Sequence, residues 1–397
     1  MSSPLDSVLI IEDSPLQALY AADLCTRLGA REVRLAHDGE QGLALLSLQP
    51  PSLLLLDLEM PKVDGVQLLQ RMAAEKQQVP IIVTSGKDYL LISSVELMAR
   101  ELGLHVLGGL KKPLQEHEIT DLLSRLALTP LRSADDESLC SDVDVRLALD
   151  AAQIVPYYQP KVTLRGNVLK GAEMLARWIH PEQGIIPPSR FIPVIEAQDW
   201  ATELTLKMLE HGLAQWQQWA RHGLRLPLSV NLSARSLRGN TLVAEIEHRI
   251  RNSRIPPRYI IFEITETTVA ENLAEALGIA ARLRLAGVGL SIDDFGTGFA
   301  TVQQLMRFPF TELKIDQSLV TSVSRKPHLE AILNGVLELS ERLQLSTVAE
   351  GIETQDDSQC MDKHGCLLGQ GYYYARPLPP PQFEHWVKER MVMREVS

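Results

Sequence analysis

Residues 287–294 read GVGLSIDD, a short apolar run that ends in two adjacent aspartates. The run is typical of a buried strand, and neighbouring side chains on a strand point to opposite faces of its sheet. A buried carboxylate is costly unless a cation or hydrogen bonds compensate its charge. The stretch therefore predicts a strand that stops at a polar site, with Asp293 and Asp294 both facing the rim of that site.

Similar runs recur between residues 142 and 397, and helical stretches separate most of them. Eight strands in a segment of this length predict an α/β fold, a TIM-like (β/α)8 barrel. The predicted strands are VPYYQPKVTL, GAEMLARW, LPLSVNLS, YIIFEITE, GVGLSIDD, TELKIDQ, STVAEGIE and QGYYYARP.

A polar residue stands at or near the end of nearly every predicted strand. The carboxyl ends of barrel strands surround one pocket, so these side chains should gather there. A helix cap explains one acid at a strand end, but not a whole set. Oxygen ligands favour Mg²⁺ or Mn²⁺, and two such ions suit attack of water on a phosphodiester. The residues are Glu173, Asn231, Glu263, Asp293, Asp294, Lys314, Glu350 and Gln370.

These motifs resemble the EAL family of cyclic di-GMP phosphodiesterases. The resemblance rests on EML followed by ARW, and on NLS, FEITE, DDFGTG, LKID, AEGIE and QGYYYARP. It implies a barrel enzyme that hydrolyses cyclic di-GMP to linear pGpG with Mg²⁺ or Mn²⁺, and we expect two ions in the barrel. The implied metal ligands are Glu173, Asn231, Glu263, Asp293, Asp294 and Glu350.

The resemblance implies further roles in the same pocket. Glu173, Lys314 and Glu350 would be catalytic, and Lys314 would orient or activate the attacking water. Glu266 would steady the loop after Asp294. The residues expected to contact the substrate or position water are Arg177, Gln159 and Gln370.

The barrel segment departs from the family pattern at two places. Family members read EAL or EVL where this chain has EML, and strand alternation should turn Met174 away from Glu173. After DDFGTG the family continues Tyr-Ser-Ser-Leu, whereas residues Phe299 to Val302 read FATV. This change removes hydroxyls from a loop that, in the family, helps assemble the metal site and the dimer.

Residues 1–127 alternate strand and helix five times, which predicts a doubly wound, flavodoxin-like (βα)5 domain with a parallel sheet. Polar residues follow its strands, at the edge where such sheets bind ligands. Three carboxylates there suggest one Mg²⁺, Asp57 could attack a phosphoryl group, and Ser85 and Lys112 could bind the transferred oxygens. The residues are Glu12, Asp13, Asp57, Ser85 and Lys112.

DLEMPKVDG around Asp57 and KKP around Lys112 resemble the receiver domain of response regulators. The resemblance implies phosphorylation of Asp57 by a sensor histidine kinase. Gly109 stands where the family usually has a Tyr or Phe that reports the phosphorylation state. The order and length of the two segments resemble RocR-type regulators.

The linker, the net charge and the cysteines limit the class of protein to which the chain can belong. Residues 128–141 are polar and predict a linker. The net charge of −11 argues against direct binding of DNA or of anionic membranes. We expect a cytoplasmic protein, because no signal peptide or membrane span is evident and the four cysteines are scattered. We also expect a homo-oligomer. CMDKHGC, residues 360–366, fits no common zinc spacing.

Three functional hypotheses are compatible with these sequence features. The first is a phosphodiesterase controlled by the receiver, with the sign of control undetermined. The second is a barrel that binds cyclic di-GMP without cutting it, and the third is a scaffold that captures phosphotransfer. Metal-dependent turnover separates the first hypothesis from the other two.

Overall fold

The computed structural model describes residues 5–87, 89–128, 139–233, 241–265, 273–296, 305, 307–321, 323 and 327–395. The chain divides into two compact units, Met1–Asp136 and Glu137–Ser397. Glu266 and the stretch from Phe299 to Val302 lie outside the described residues. No helix within the described ranges is long and apolar enough to cross a membrane.

The first unit is a five-stranded parallel sheet in the order β2-β1-β3-β4-β5. Its strands are β1 (Ser7–Ile11), β2 (Glu32–Ala36), β3 (Leu53–Asp57), β4 (Ile81–Ser85) and β5 (Val106–Lys111). Its helices are α1 (Pro15–Arg27), α2 (Gly39–Leu48), α3 (Gly65–Ala74), α4 (Tyr89–Glu101) and α5 (Glu116–Leu128). The predicted (βα)5 fold is confirmed.

The central strand β3 shows why this sheet needs helices on both faces. Its sequence LLLLD is buried throughout, so the strand has no face that tolerates water. Leu54 and Leu56 pack into one apolar cluster, whereas Leu53 and Leu55 pack into another. Because all the strands are parallel, their carboxyl ends meet at one edge, and Asp57 lies at that edge.

The second unit is a closed barrel with eight strands in the ring and one extra strand, β8. The strands are β6 (Ile154–Thr163), β7 (Leu169–His180), β8 (Gly184–Ile186), β9 (Leu228–Asn231), β10 (Ile260–Thr265), β11 (Gly289–Phe295), β12 (Glu312–Ile315), β13 (Ser346–Ala349) and β14 (Leu368–Gly369). The helices are α6 (Asp142–Asp150), α7 (Pro188–Ala197), α8 (Ala201–Arg221), α9 (Thr241–Ser253), α10 (Leu273–Leu285), α11 (Gln317–Val320), α12 (Pro327–Arg342), α13 (Gln355–Lys363) and α14 (Pro380–Glu395).

The first barrel strand departs from a simple (β/α)8 repeat. Strand β6 runs antiparallel to both of its neighbours, β7 and β14, while the other ring strands pair in parallel. Only residues 164–168 separate β6 from β7, and the Val168 carbonyl accepts a hydrogen bond from the amide of Thr163. Such a turn makes a hairpin, since a parallel connection needs a crossover of a dozen or more residues.

The last predicted strand, QGYYYARP, is misplaced. The strand is the preceding pair Leu368–Gly369, and the chain turns directly after Gln370. Gly371 packs so close to the backbone of Ile352 that a Cβ atom there would clash with the Ile352 carbonyl oxygen. The amides of Tyr374 and Ala375 then donate to the Gly371 carbonyl, which gives a turn instead of an extended strand.

Candidate active site

Strand β11 brings Asp293 and Asp294 to one cavity by changing its backbone at the second aspartate. Asp294 has a φ of 56°, and the pairing with β12 shifts register between Ile292 and Phe295. A left-handed residue in such an irregularity turns the side chains after it away from the strict alternation of a regular strand. Both aspartates therefore line the same cavity of about 420 Å³, as the opening stretch of the sequence predicted.

Lys314 lies at the floor of this cavity, surrounded by carboxylates. Its Nζ atom is 2.7 Å from Glu263 Oε2, 2.8 Å from Asp293 Oδ1 and 2.8 Å from Glu350 Oε1. Glu173 Oε2 is 3.4 Å from the same nitrogen. Burial would lower the pKa of Lys314, but the surrounding acids hold that pKa well above its usual value. Lys314 is therefore a buried ammonium that four acids share.

A polar network also holds Glu173 in the cavity. Asn231 Nδ2 donates to Glu173 Oε1 over 3.1 Å, and Gln370 Nε2 donates to Glu173 Oε2 over 2.5 Å. Gln370 Nε2 also donates to Gln159 Oε1 over 3.0 Å, and Gln159 donates to the carbonyl of Ala375. Strands β6, β7 and β9 and the turn after β14 are thus tied together through side chains that the sequence singled out.

Three of these acids, unlike Glu263, retain protons more strongly than isolated ones, as the pKa values show. Burial, reinforced by the charge of Asp293, raises the pKa of Asp294 to about 6. Burial also raises the pKa of Glu173 and, to a larger extent, that of Glu350. Asp293, Asp294 and Glu350 each place a carboxylate oxygen within 4.8 Å of the others. A divalent cation between these three oxygens would relieve their mutual repulsion.

Two predicted residues lie apart from the cavity lining. Glu263 is fully buried beneath Lys314, and it reaches the site through that lysine. Arg177 is half-buried on β7, and its Nη1 atom donates to the carbonyl of Ala176. Burial lowers the pKa of Arg177, while the nearby Tyr372, Tyr157 and Glu173 oppose that change.

Other residues line the cavity that the sequence analysis did not assign to the site. They are Leu175, Asp316, Gln317, Gly351, Glu353, Gly371 and Tyr372. Asp316 belongs to LKID and Tyr372 to QGYYYARP, so both motifs already held the signal.

Met174 lies on the outer face of the barrel, as strand alternation predicted. It is buried against α8, where a Cβ atom on Gly212 would clash with the Met174 Sδ atom. Glu173 faces the interior, so the exchange of the family's usual small residue for methionine changes packing outside the barrel and leaves the cavity lining intact.

The first unit gathers its own acidic site at the edge of the sheet. Glu12, Asp13 and Asp57 each place a carboxylate oxygen within 4.8 Å of the others. Lys112 Nζ lies 2.6 Å from Glu12 Oε2 and 2.9 Å from Asp57 Oδ1. Burial raises the pKa of both Glu12 and Asp57, although Lys112 opposes the change. Ser85 lies on the neighbouring strand.

Ser85 and Gly109 lie on the adjacent strands β4 and β5. Ser85 Oγ donates to Glu59 Oε1 over 2.9 Å and accepts a hydrogen bond from the amide of Lys87. A Cβ atom on Gly109 would clash with Ile92 Cγ2 and with Glu96 Oε1. Side chains of α4 therefore occupy the space beside β5 where the usual aromatic residue would begin.

Residues 142–377 match the EAL domain family, and residues 8–124 match the response regulator receiver domain. Cyclic di-GMP phosphodiesterase RocR from Pseudomonas aeruginosa is 34% identical over 381 residues, which cover 95% of this chain and 97% of that protein. Cyclic di-GMP phosphodiesterase PdeR from Escherichia coli K12 is 33% identical over 252 residues, which cover 64% of this chain and 38% of that protein.

A solved structure of PaMucR phosphodiesterase in complex with c-di-GMP is 34% identical, with a TM-score of 0.58. The match covers 61% of this chain and 98% of the PaMucR chain. The sequence match extends over both units, and the structural match places the barrel with a solved relative. The chain therefore belongs to the EAL family, and its EAL domain follows a response regulator receiver domain.

Proposed function

We propose that this protein is a cyclic di-GMP phosphodiesterase whose receiver domain controls it through phosphorylation of Asp57. The barrel would hydrolyse one phosphodiester of cyclic di-GMP and release linear pGpG. The observation that carries the proposal is the ring of carboxylates around Lys314 in an open cavity. RocR, PdeR and PaMucR are named as phosphodiesterases, which supports the same substrate class.

The residues of the cavity fit divalent cations. All the donors are oxygen atoms of carboxylates and carboxamides, the set that Mg²⁺ and Mn²⁺ prefer. Gln370 Oε1 is buried and has no hydrogen-bond partner among the described residues, so it can accept from a metal-bound ligand. The residues that would hold the ions are Glu173, Asn231, Glu263, Asp293, Asp294 and Glu350. Such ions would polarise the phosphoryl oxygens and lower the pKa of a bound water.

The protein's own groups would orient the reaction. The raised pKa of Lys314 keeps its Nζ atom protonated, so Lys314 would donate to the attacking water and hold its lone pair toward phosphorus. The oxygen of that water forms the new bond to phosphorus, and the bond from phosphorus to the 3′ oxygen breaks. In the net reaction the water gives up one proton and the departing 3′ oxygen takes up one, so the products are a 3′ hydroxyl and a terminal 5′ phosphate.

Two residues, Tyr372 in the cavity lining and Arg177 outside it, suit the rest of the substrate. Arg177 carries a planar guanidinium that can pair with the phosphate that is not cleaved. Tyr372 lines the cavity with its side chain half exposed, so its ring can stack on a guanine base. The guanidinium of Arg376 lies over the same ring, 4.3 Å from its centroid. Its positive charge would attract an anionic nucleotide to Tyr372.

The receiver site fits phosphotransfer to Asp57. The Asp57 carboxylate would attack phosphorus of the phosphodonor, and the donor's bond to phosphorus would break. Glu12, Asp13 and Asp57 would hold one Mg²⁺, while Lys112 and Ser85 would bind the transferred oxygens. The proposed donor is a sensor histidine kinase, and we expect the full chain to form a homo-oligomer. The sign of control is an outcome of the experiment below.

The test is incubation of the full chain with cyclic di-GMP and Mg²⁺ or Mn²⁺, followed by chromatography of the nucleotides. Glu173→Ala serves as the inactive variant, and each protein is run with and without acetyl phosphate. Asp57→Asn shows whether an effect of acetyl phosphate depends on the receiver. pGpG from the wild type alone supports the proposal. Tight binding of cyclic di-GMP without product would instead favour a sensor.

A further inference from the structure

A second buried lysine lies beneath Lys314, deeper in the barrel. Lys161 Nζ is 2.8 Å from Ser229 Oγ, 2.8 Å from Glu263 Oε1 and 2.7 Å from Glu312 Oε1. Its side chain is only 3% exposed, so these three contacts are all formed away from water. A buried ammonium persists when carboxylates and hydrogen bonds surround it in this way.

Glu263 lies between the two lysines and is fully buried. Its Oε1 atom accepts from Lys161 over 2.8 Å, and its Oε2 atom accepts from Lys314 over 2.7 Å. Each carboxylate oxygen therefore has its own cationic partner. Two such contacts on opposite oxygens fix the plane of the carboxylate as well as its position.

The two lysines differ in what else they contact. Lys314 also reaches Asp293 and Glu350, which line the proposed active site. The other partners of Lys161, Ser229 and Glu312, line a separate cavity of about 590 Å³. That cavity includes residues at the amino ends of the strands, so Lys161 approaches Glu263 from the side opposite the active site.

We propose that Lys161 is a positioning residue for metal binding, with Glu312 as its anchor. The inference rests on the proposed function, in which Glu263 is a metal ligand. Lys161 would keep Oε1 of Glu263 occupied. Only Oε2, which Lys314 also contacts over 2.7 Å, would then turn its second lone pair to the cation that the carboxylates above it receive. Without Lys161, Lys314 would still hold Oε2, but Oε1 of Glu263 would be free to bind the cation as well.

Glu312 makes this arrangement possible within the barrel. It lies on β12 two residues before Lys314, so both side chains point into the interior. By holding Lys161 at 2.7 Å, Glu312 fixes the ammonium on the lower side of Glu263. Partners that orient a ligand in this way typically change metal affinity by about 10- to 100-fold when they are removed.

The test compares Mn²⁺ binding in full-length proteins by titration calorimetry and electron paramagnetic resonance. Every sample carries Asp13→Asn, which removes one of the three receiver acids that would bind a metal ion. The variant is Lys161→Met with Glu312→Gln, which removes one positive and one negative charge together. Lys170→Met is the matched control, since Lys170 lines the same lower cavity but is exposed on β7.

We expect the paired variant to weaken Mn²⁺ binding roughly tenfold or more, and the control to leave it unchanged. In a Glu263→Gln background the same paired change should add less than about twofold, because Lys161 acts through Glu263. A purely structural role predicts additive losses. Equal affinity of the paired variant and the reference protein would overturn the inference.

The reference protein, which carries Asp13→Asn alone, separates this inference from the proposed function. If it binds no Mn²⁺ in the barrel, the proposed metal site fails, and this inference falls with it. If the paired variant does not fold, a crystal structure of the Mn²⁺-loaded reference protein decides. Coordination through Oε2 alone, with Oε1 still on Lys161, supports the inference, and bidentate Glu263 or a displaced Lys161 contradicts it.

Discussion

Lys314 Nζ lies 2.7 Å from Glu263 Oε2, so the deepest acid of the proposed active site is paired by the protein itself. Asp293 and Glu350 contact the same ammonium. Lys314 therefore serves two purposes, because it stabilises the fold and faces the cavity where water would attack.

Replacement of Lys314 by methionine should affect both stability and activity. Removal of one partner from a buried ionic network costs roughly 3–5 kcal/mol of unfolding free energy, because the acids keep their burial and lose their cation. Turnover of cyclic di-GMP should fall roughly 10²-fold or more. Added Mn²⁺ should raise the unfolding temperature of the variant more than that of the wild type. If Lys314→Met unfolded in EDTA at the same temperature as the wild type, the result would contradict this account.

The stability of the metal-free barrel should depend on pH through Asp294. Its pKa rises from 3.8 to about 6 in the folded state, so the folded protein binds this proton more tightly than the unfolded chain. The resulting stabilisation is complete below about pH 4 and declines as the pH rises to about 6. Asp294→Asn should remove this contribution.

Thermal unfolding in EDTA between pH 4 and pH 7 measures the effect. The difference between the unfolding temperatures of wild type and Asp294→Asn should change over the interval from about pH 4 to about 6, and then level off. A constant difference across the range would show that Asp294 titrates at its ordinary value. Mn²⁺ should bind more tightly as the pH rises through the same interval.

Gly109→Ala should destabilise the receiver domain. The new methyl group would clash with Ile92 and Glu96 of α4, and such overpacking costs roughly 1–3 kcal/mol. Gly86→Ala is a suitable control, since a Cβ atom there would meet only Glu59 Oε1 at 3.6 Å. The loss caused by Gly109→Ala should be smaller in an Ile92→Ala background, where the clash with Ile92 is absent. Urea unfolding measures the stability of each variant. Equal stability of the two alanine variants would mean that α4 moves freely.

Met174→Ala should lower stability without altering the chemistry. Removing a buried methionine side chain costs roughly 2–5 kcal/mol, whereas Glu173 on the inner face keeps its contacts. Gly212→Ala should recover part of this loss in the double variant, because the added methyl group fills the space that Met174 leaves. The measurements are urea unfolding and kcat. A large change in kcat would show that Met174 influences the cavity.

Much of the fold follows from local sequence. The apolar runs LLLLD and GLSIDD predict buried strands, and the acids that end them predict the edge where each site lies. The structure brings the predicted acids together around Lys314 and around Lys112. Strand ends of parallel sheets converge by geometry, so the strand-end acids indicated where each site lies.

Other features depend on contacts that single runs do not show. The antiparallel direction of β6 follows from the short connection at residues 164–168, not from the composition of the strand. The turn after Gln370 depends on the close packing of Gly371 against Ile352. Lys161 and Glu312 meet across 151 positions of sequence, and only the closed barrel brings them together.

The most direct measurement of the central claim is mass spectrometry of the product formed in ¹⁸O-labelled water. The full chain is incubated with cyclic di-GMP and Mg²⁺ or Mn²⁺, and Glu173→Ala is treated in parallel. The account predicts linear pGpG with one ¹⁸O atom on its terminal phosphate, from the wild type alone. Unchanged cyclic di-GMP with either metal ion, in either phosphorylation state, would contradict it.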